Sequence, residues 1–167
     1  MYDKLTQKDI DKIAAEIEHR KVVVRKEALE SVKEARAHGD LSENFEYKAA
    51  KQYKNQNESR IRYLERMLKT AILIEEDSRI DEVGLNNTVT VRFDEDDEIE
   101  TYKLVTTVRG NSLGGKITIE SPIGKALLGH KVGERVLVKV NDNVSYYITI
   151  QKIENTVDDG SDELRKF

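Results

Sequence analysis

Glycine and proline are placed so unevenly along these 167 residues that their positions alone divide the chain in two. Before Gly84 the only glycine is Gly39, and Pro122 is the only proline anywhere. Glycine interrupts helices through its backbone freedom, proline through its missing N–H. A stretch of about 80 residues with one breaker in its middle therefore predicts two long helices around a single turn. The first is expected over about Thr6–His38 and the second over about Ser42–Glu75. At 1.5 Å per residue each would span about 50 Å. Helices of that length need support, and a very short turn leaves antiparallel packing on each other as the means.

Apolar spacing agrees. Ile10, Ile13, Ile17, Val24, Ala28, Val32 and Ala35 recur at helical intervals. Tyr47, Ala50, Ile61, Leu64, Leu68 and Ala71 do the same on the second segment, with polar Lys54 and Asn57 in register between them. Such stripes bury one seam and leave charged faces in water. Val22 and Val23 fall off the stripe.

From Asn87 the period changes to two and β-formers dominate. Strands are expected at Thr88–Phe93, Glu100–Val108, Lys116–Glu120, Glu134–Val140 and Ser145–Ile153. Ser121 and Pro122 suit the N-cap and first turn of a short helix that Gly129 stops. The fold class expected is thus two domains, a long antiparallel coiled-coil hairpin followed by a small α+β domain with an antiparallel sheet. Boundaries fall at 1–77 for the hairpin, 78–86 for a linker and 87–153 for the sheet domain. Residues 154–167 read as a disordered polar tail, since DDGSDE offers little to bury.

Composition narrows the function classes. No apolar run approaches the roughly 20 residues that cross a bilayer, and the N-terminus lacks a signal-peptide core. Without cysteine there are neither disulfides nor thiolate metal sites, so a cytoplasmic protein is expected. Residues 1–77 carry 16 basic and 16 acidic side chains, whereas residues 78–167 carry 12 and 16. Neither half is a basic platform for naked nucleic acid, which points to a protein partner.

The turn reads His38-Gly39-Asp40-Leu41-Ser42-Glu43-Asn44-Phe45-Glu46-Tyr47. Asp40 or Ser42 can cap the second helix, and the acids suit the positive end of its dipole. The same Asp40 and Glu43 also place two hard oxygen ligands at the end of a narrow hairpin, with no cation between them. Mg²⁺ favours one or two carboxylates plus water and substrate phosphates, so the pair could complete a site whose other ligands belong to a partner. The run Asp94–Glu98 is expected to be a solvated turn rather than a metal site, and His38 a helix-terminal residue.

HGDLSENFEYKAAK (His38–Lys51), with VKEAR (Val32–Arg36) before it and RIRYLERML (Arg60–Leu68) after it, closely resembles the bacterial Gre transcript-cleavage factors, nearest to their GreA type. A second signature, ESPIGKALLGHKVGERV (Glu120–Val136), is similar to that family's C-terminal domain. The resemblance implies an FKBP-like second domain that docks on bacterial RNA polymerase at its secondary channel. It implies a hairpin inside that channel, with Asp40 and Glu43 sharing Mg²⁺ with the polymerase, which then cleaves the 3′ end of backtracked nascent RNA. The factor would be no enzyme itself, would act as a monomer, and would have no membrane role. Arg36 and Lys51 align with the family's RNA-contacting basic patch, to which Lys48 and Lys54 are neighbours. Phe45 stands where such proteins commonly have alanine. Alternatives are a Gre-like inhibitor, which retention of both acids disfavours, and a coiled-coil adaptor or chaperone, which would be indifferent to them. A self-contained nuclease lacks a residue cluster to support it.

Overall fold

The computed structural model describes residues 2–38, 44–76 and 81–166. One compact unit contains Lys8–Ala71, and a second joins Asp3–Gln7 to Ile72–Lys166.

In the helical unit, α1 (Gln7–His19) and α2 (Arg25–Ala37) run on from each other through a π-helical turn at Arg20–Val24, and α3 (Phe45–Thr70) returns. Cross-helix partners fix the direction: Ala35 meets Asn44, Arg25 meets Glu58, Arg20 meets Asn57 and Glu16 meets Arg60, so the two arms are antiparallel. An unbroken first helix was expected, and the π-turn has its cause on the facing helix. The Arg25 N–H reaches back five residues to the Arg20 carbonyl. That carbonyl also accepts from Asn57 Nδ2 at 3.2 Å, while Arg20 Nη1 donates to Asn57 Oδ1 at 3.1 Å. Asn57 is buried, so its amide must find partners inside the protein, and the widened turn supplies them.

Ile13, Ile17, Ala28 and Ala35 are buried on the first arm, and Ile61, Leu64 and Met67 on the second. Each large side chain of this set contributes roughly 1.5–3 kcal/mol on burial. Met67 takes the buried place expected of Leu68, which is half-buried. Val22 and Val23 face solvent. The second helix stops at Thr70, short of the expected Glu75, because Ala71 turns extended (φ −64°, ψ 142°). Ile72–Leu73 (β2) then pairs in parallel with Lys4–Leu5 (β1). Ile72 N–H donates to Asp3 O and Ile74 N–H to Leu5 O, at 2.9 and 2.8 Å. The shorter helix measures about 39 Å rather than 50 Å.

The second unit holds a five-stranded sheet in the order β5-β4-β3-β7-β6, from Lys116–Thr118 (β5), Ile99–Val105 (β4), Thr88–Phe93 (β3), Ser145–Glu154 (β7) and Arg135–Lys139 (β6). The sheet is mixed rather than antiparallel, since β4 and β5 run parallel while the other pairings are antiparallel. After β4 the chain passes through two short 3₁₀ turns, at Thr107–Arg109 and Ser112–Gly114, and re-enters the sheet in the same direction instead of folding back as a hairpin. Val89, Val91, Leu104, Val138, Ile148 and Ile150 build the core with Leu127 of α4 (Pro122–Leu127). Ser121 caps that helix, accepting from Gly124 N–H at 3.1 Å. A side chain at Gly124 would meet the Thr118 carbonyl at 2.0 Å, so glycine is required there.

Two boundary expectations change. Residues 81–86 are no free linker: Val83 and Leu85 belong to the core, and Val83 N–H donates to His130 O at 2.8 Å. Nor do the residues after Ile153 form a detached tail. Asp158 and Asp162 are buried, and Arg165 N–H donates to Val108 O at 2.6 Å. Their carboxylates are drawn in by buried Arg109, a tertiary partner that a reading of local polarity does not register.

Candidate functional site

The turn between α2 and α3 is where the sequence places its acids, and Asp40 and Glu43 themselves lie outside the described residues. Its two shoulders are described. Asn44, rather than the expected Asp40 or Ser42, is the N-cap of α3, its Oδ1 accepting from Tyr47 N–H at 3.0 Å. The same side chain donates through Nδ2 to Ala35 O at 2.6 Å. One amide thus caps the second helix and ties it to the last turn of the first. His38 is the residue after α2, its N–H donating to Ala35 O at 3.3 Å.

The four cations expected near the turn divide into two groups. Arg36 Nη2 donates to the Tyr47 hydroxyl at 3.4 Å, and its guanidinium carbon lies 5.5 Å from the ring centroid. Lys51 and Lys54 stand four and seven residues on from Tyr47, on the same helical face. The hydrogen bond and charge of Arg36, joined by the charges of Lys51 and Lys54, hold the Tyr47 phenol below its ordinary value. Lys48 turns elsewhere, its ammonium 5.7 Å from the Phe45 ring centroid. Phe45 is 78% exposed, so this aromatic and its lysine face solvent beside the turn. Lys48 and Lys51 also line an open polar groove along α3 that continues through Gln52, Asn55, Gln56 and Ser59.

Tyr47, read in the sequence as a seam or surface residue, is the side chain that Arg36 meets across the turn. Its spacing to Lys51 and Lys54 was a visible signal; its approach to Arg36 across the turn was not. Asp94, at the start of the acidic run, accepts from Arg135 Nε at 2.5 Å and Thr149 Oγ1 at 2.8 Å, which makes it part of the sheet's own bracing. Among the described residues no three acids and histidines gather as a metal site.

Residues 4–72 match the family described as transcription elongation factor, N-terminal, and residues 76–155 match transcription elongation factor, GreA/GreB, C-term. A protein of Chloroherpeton thalassium named transcription elongation factor GreA is 47% identical over 151 residues, covering 88% of this chain and 95% of its own. Its namesake in Caldanaerobacter subterraneus is 49% identical over 139 residues, covering 81% and 87%. Helical hairpin, mixed-sheet domain and matches to both halves define a two-domain transcription elongation factor. The chain belongs to the GreA/GreB family, and within it to the GreA type. Among solved structures, that of GreA factor homolog 1 (Gfh1) from Thermus thermophilus is 28% identical, covers 93% of this chain and 100% of its own, and superposes with a TM-score of 0.43. No helix among the described residues is long and apolar enough to cross a membrane.

Proposed function

We propose that this factor binds bacterial RNA polymerase in the cytoplasm, inserts its hairpin into the secondary channel, and stimulates the polymerase's own cleavage of backtracked RNA 3′ ends. The observation that carries the reading is the antiparallel hairpin, whose two arms are tied by Asn44 at the turn bearing Asp40 and Glu43, in a chain of the GreA type. Asp40 and Glu43 would hold Mg²⁺ jointly with the polymerase, their hard oxygens suiting that ion. When bound, the ion supplies charge stabilisation for phosphodiester cleavage. A carboxylate at the same place can accept the proton of the attacking water. Arg36, Lys51 and Lys54, gathered round Tyr47, give the extruded RNA a cationic surface, with Lys48 and Phe45 beside it. The factor then contributes ligands and charge, and the bond-breaking site remains the polymerase's.

A stalled, backtracked elongation complex tests this directly. Wild-type protein should shorten the RNA. Asp40→Ala or Glu43→Ala should lower the cleavage rate by about a hundredfold or more while binding to the polymerase persists. Cleavage that survives both substitutions would sink the mechanism, and turnover of RNA without polymerase would make the protein a nuclease in its own right.

A further inference from the structure

Residues 156–166 lie beyond the family match, which ends at residue 155, and they belong to the sheet unit. Cross-strand register aligns Thr88 with Lys103, and Lys103 with Lys116, so two lysines stand side by side on neighbouring strands of one face. Like charges placed directly opposite each other destabilise a sheet. A third cation, Arg109, comes up beside them from the 3₁₀ turn and is almost wholly buried. Three cations converging at a sheet face require an anion.

Asp162 is that anion. Its Oδ1 lies 2.5 Å from Lys116 Nζ, and its Oδ2 lies 3.1 Å from Arg109 Nη1 and 3.4 Å from Lys103 Nζ. Asp158 stands 3.7 Å from the same Arg109 nitrogen. Arg109 also donates to Asn86 Oδ1 at 2.7 Å and to Thr106 Oγ1 at 3.2 Å, which orients its planar head. On either side of the acids the segment is pinned again. Thr156 Oγ1 donates to Asn86 O at 2.5 Å, and Arg165 N–H donates to Val108 O at 2.6 Å.

We propose that Lys103, Arg109 and Lys116 form a carboxylate-receiving site whose ligand is the chain's own residues 156–166, closed as a clasp by Asp162. The clasp and the cation row are mutually dependent, since the row repels itself when empty and the strap has little apolar surface to hold it otherwise. Local opening can therefore release the strap while the core strands stay paired.

Hydrogen exchange on the full-length protein, read by mass spectrometry, tests the clasp. Residues 156–166 should exchange at least about tenfold more slowly than a free chain. Asp162→Asn should remove that protection while β3 and β7 keep theirs, and Glu163→Gln, on an exposed neighbour, should change nothing. If Asp162→Asn unfolds the whole unit, Lys116→Gln decides, because it removes one edge-strand cation and leaves Arg109 paired; strap exchange should then rise about threefold or more. A wild-type strap exchanging like free chain would overturn the proposal. So would protection indifferent to both substitutions, or protection that grows with protein concentration, which would place the strap on a second copy.

Discussion

Tyr47 shows what a single residue gains from tertiary approach. Its phenol is hydrogen-bonded by Arg36 and lies near Lys51 and Lys54, all of which favour the phenolate. Spectrophotometric titration should find one tyrosine ionising below the ordinary value of about 10, and Arg36→Gln should return it toward that value. An unchanged titration curve would show that the contact with Arg36 is not populated in solution. The family signature around Asp40, Glu43, Arg36 and Lys51 was legible because a contiguous motif carries it, and the family model matches that stretch. The pairing of Arg36 with Tyr47 was not, because it depends on the two arms meeting across the turn.

At the scale of the element, the hairpin depends on two asparagines doing different work. Asn44 caps α3 and holds Ala35, so Asn44→Ala should cost about 1 kcal/mol of hairpin stability. Asn57 satisfies both the carbonyl and the guanidinium of Arg20, so Asn57→Ala should cost about 1–3 kcal/mol. Thermal unfolding followed by circular dichroism checks both, and the larger loss belongs to Asn57. Helix existence, direction and the α4 cap could be read from breakers and spacing, but element ends and the π-turn could not. Ala71, Ile72 and Leu73 continue a helical pattern, and what ends the helix is pairing with Lys4 and Leu5, far away in the chain. Likewise no local preference of Arg20–Val24 announces a π-turn; a buried amide on the facing helix selects it.

For the whole molecule, each unit carries a carboxylate whose ionisation is tied to folding. Burial raises the pKa of Glu16, but hydrogen bonds from Arg60 and Arg20 outweigh it and the net shift is downward. Burial likewise raises Asp162, against the hydrogen bond from Lys116, the charge of Lys103 and the hydrogen bond from Arg109, and again the net is downward. A depressed carboxylate gives stability that is full above its unfolded value, about 4.3 for Glu and 3.9 for Asp, and that is lost as pH falls through the lower folded value. Acid unfolding below about pH 4 should therefore weaken both units, and Glu16→Gln and Asp162→Asn should each flatten the profile of its own unit. An acid profile identical to wild type in both variants would contradict this linkage. The charge pattern of the strap was plain in the sequence, yet its burial was not, because the attraction comes from Lys103, Arg109 and Lys116 rather than from any apolar residue nearby. The hairpin has one more consequence. All the buried residues of α3 lie from Asn57 onward, and Phe45–Gln56 contributes none. The part of α3 that builds the seam is thus separate from the part that carries Lys48, Lys51 and Lys54. A mutational scan scored for cellular abundance should tolerate most changes in 45–56 and penalise them in 57–67. Scored for polymerase rescue, the same library should penalise both, which leaves the stretch beside the turn open to selection for chemistry at little risk to the fold.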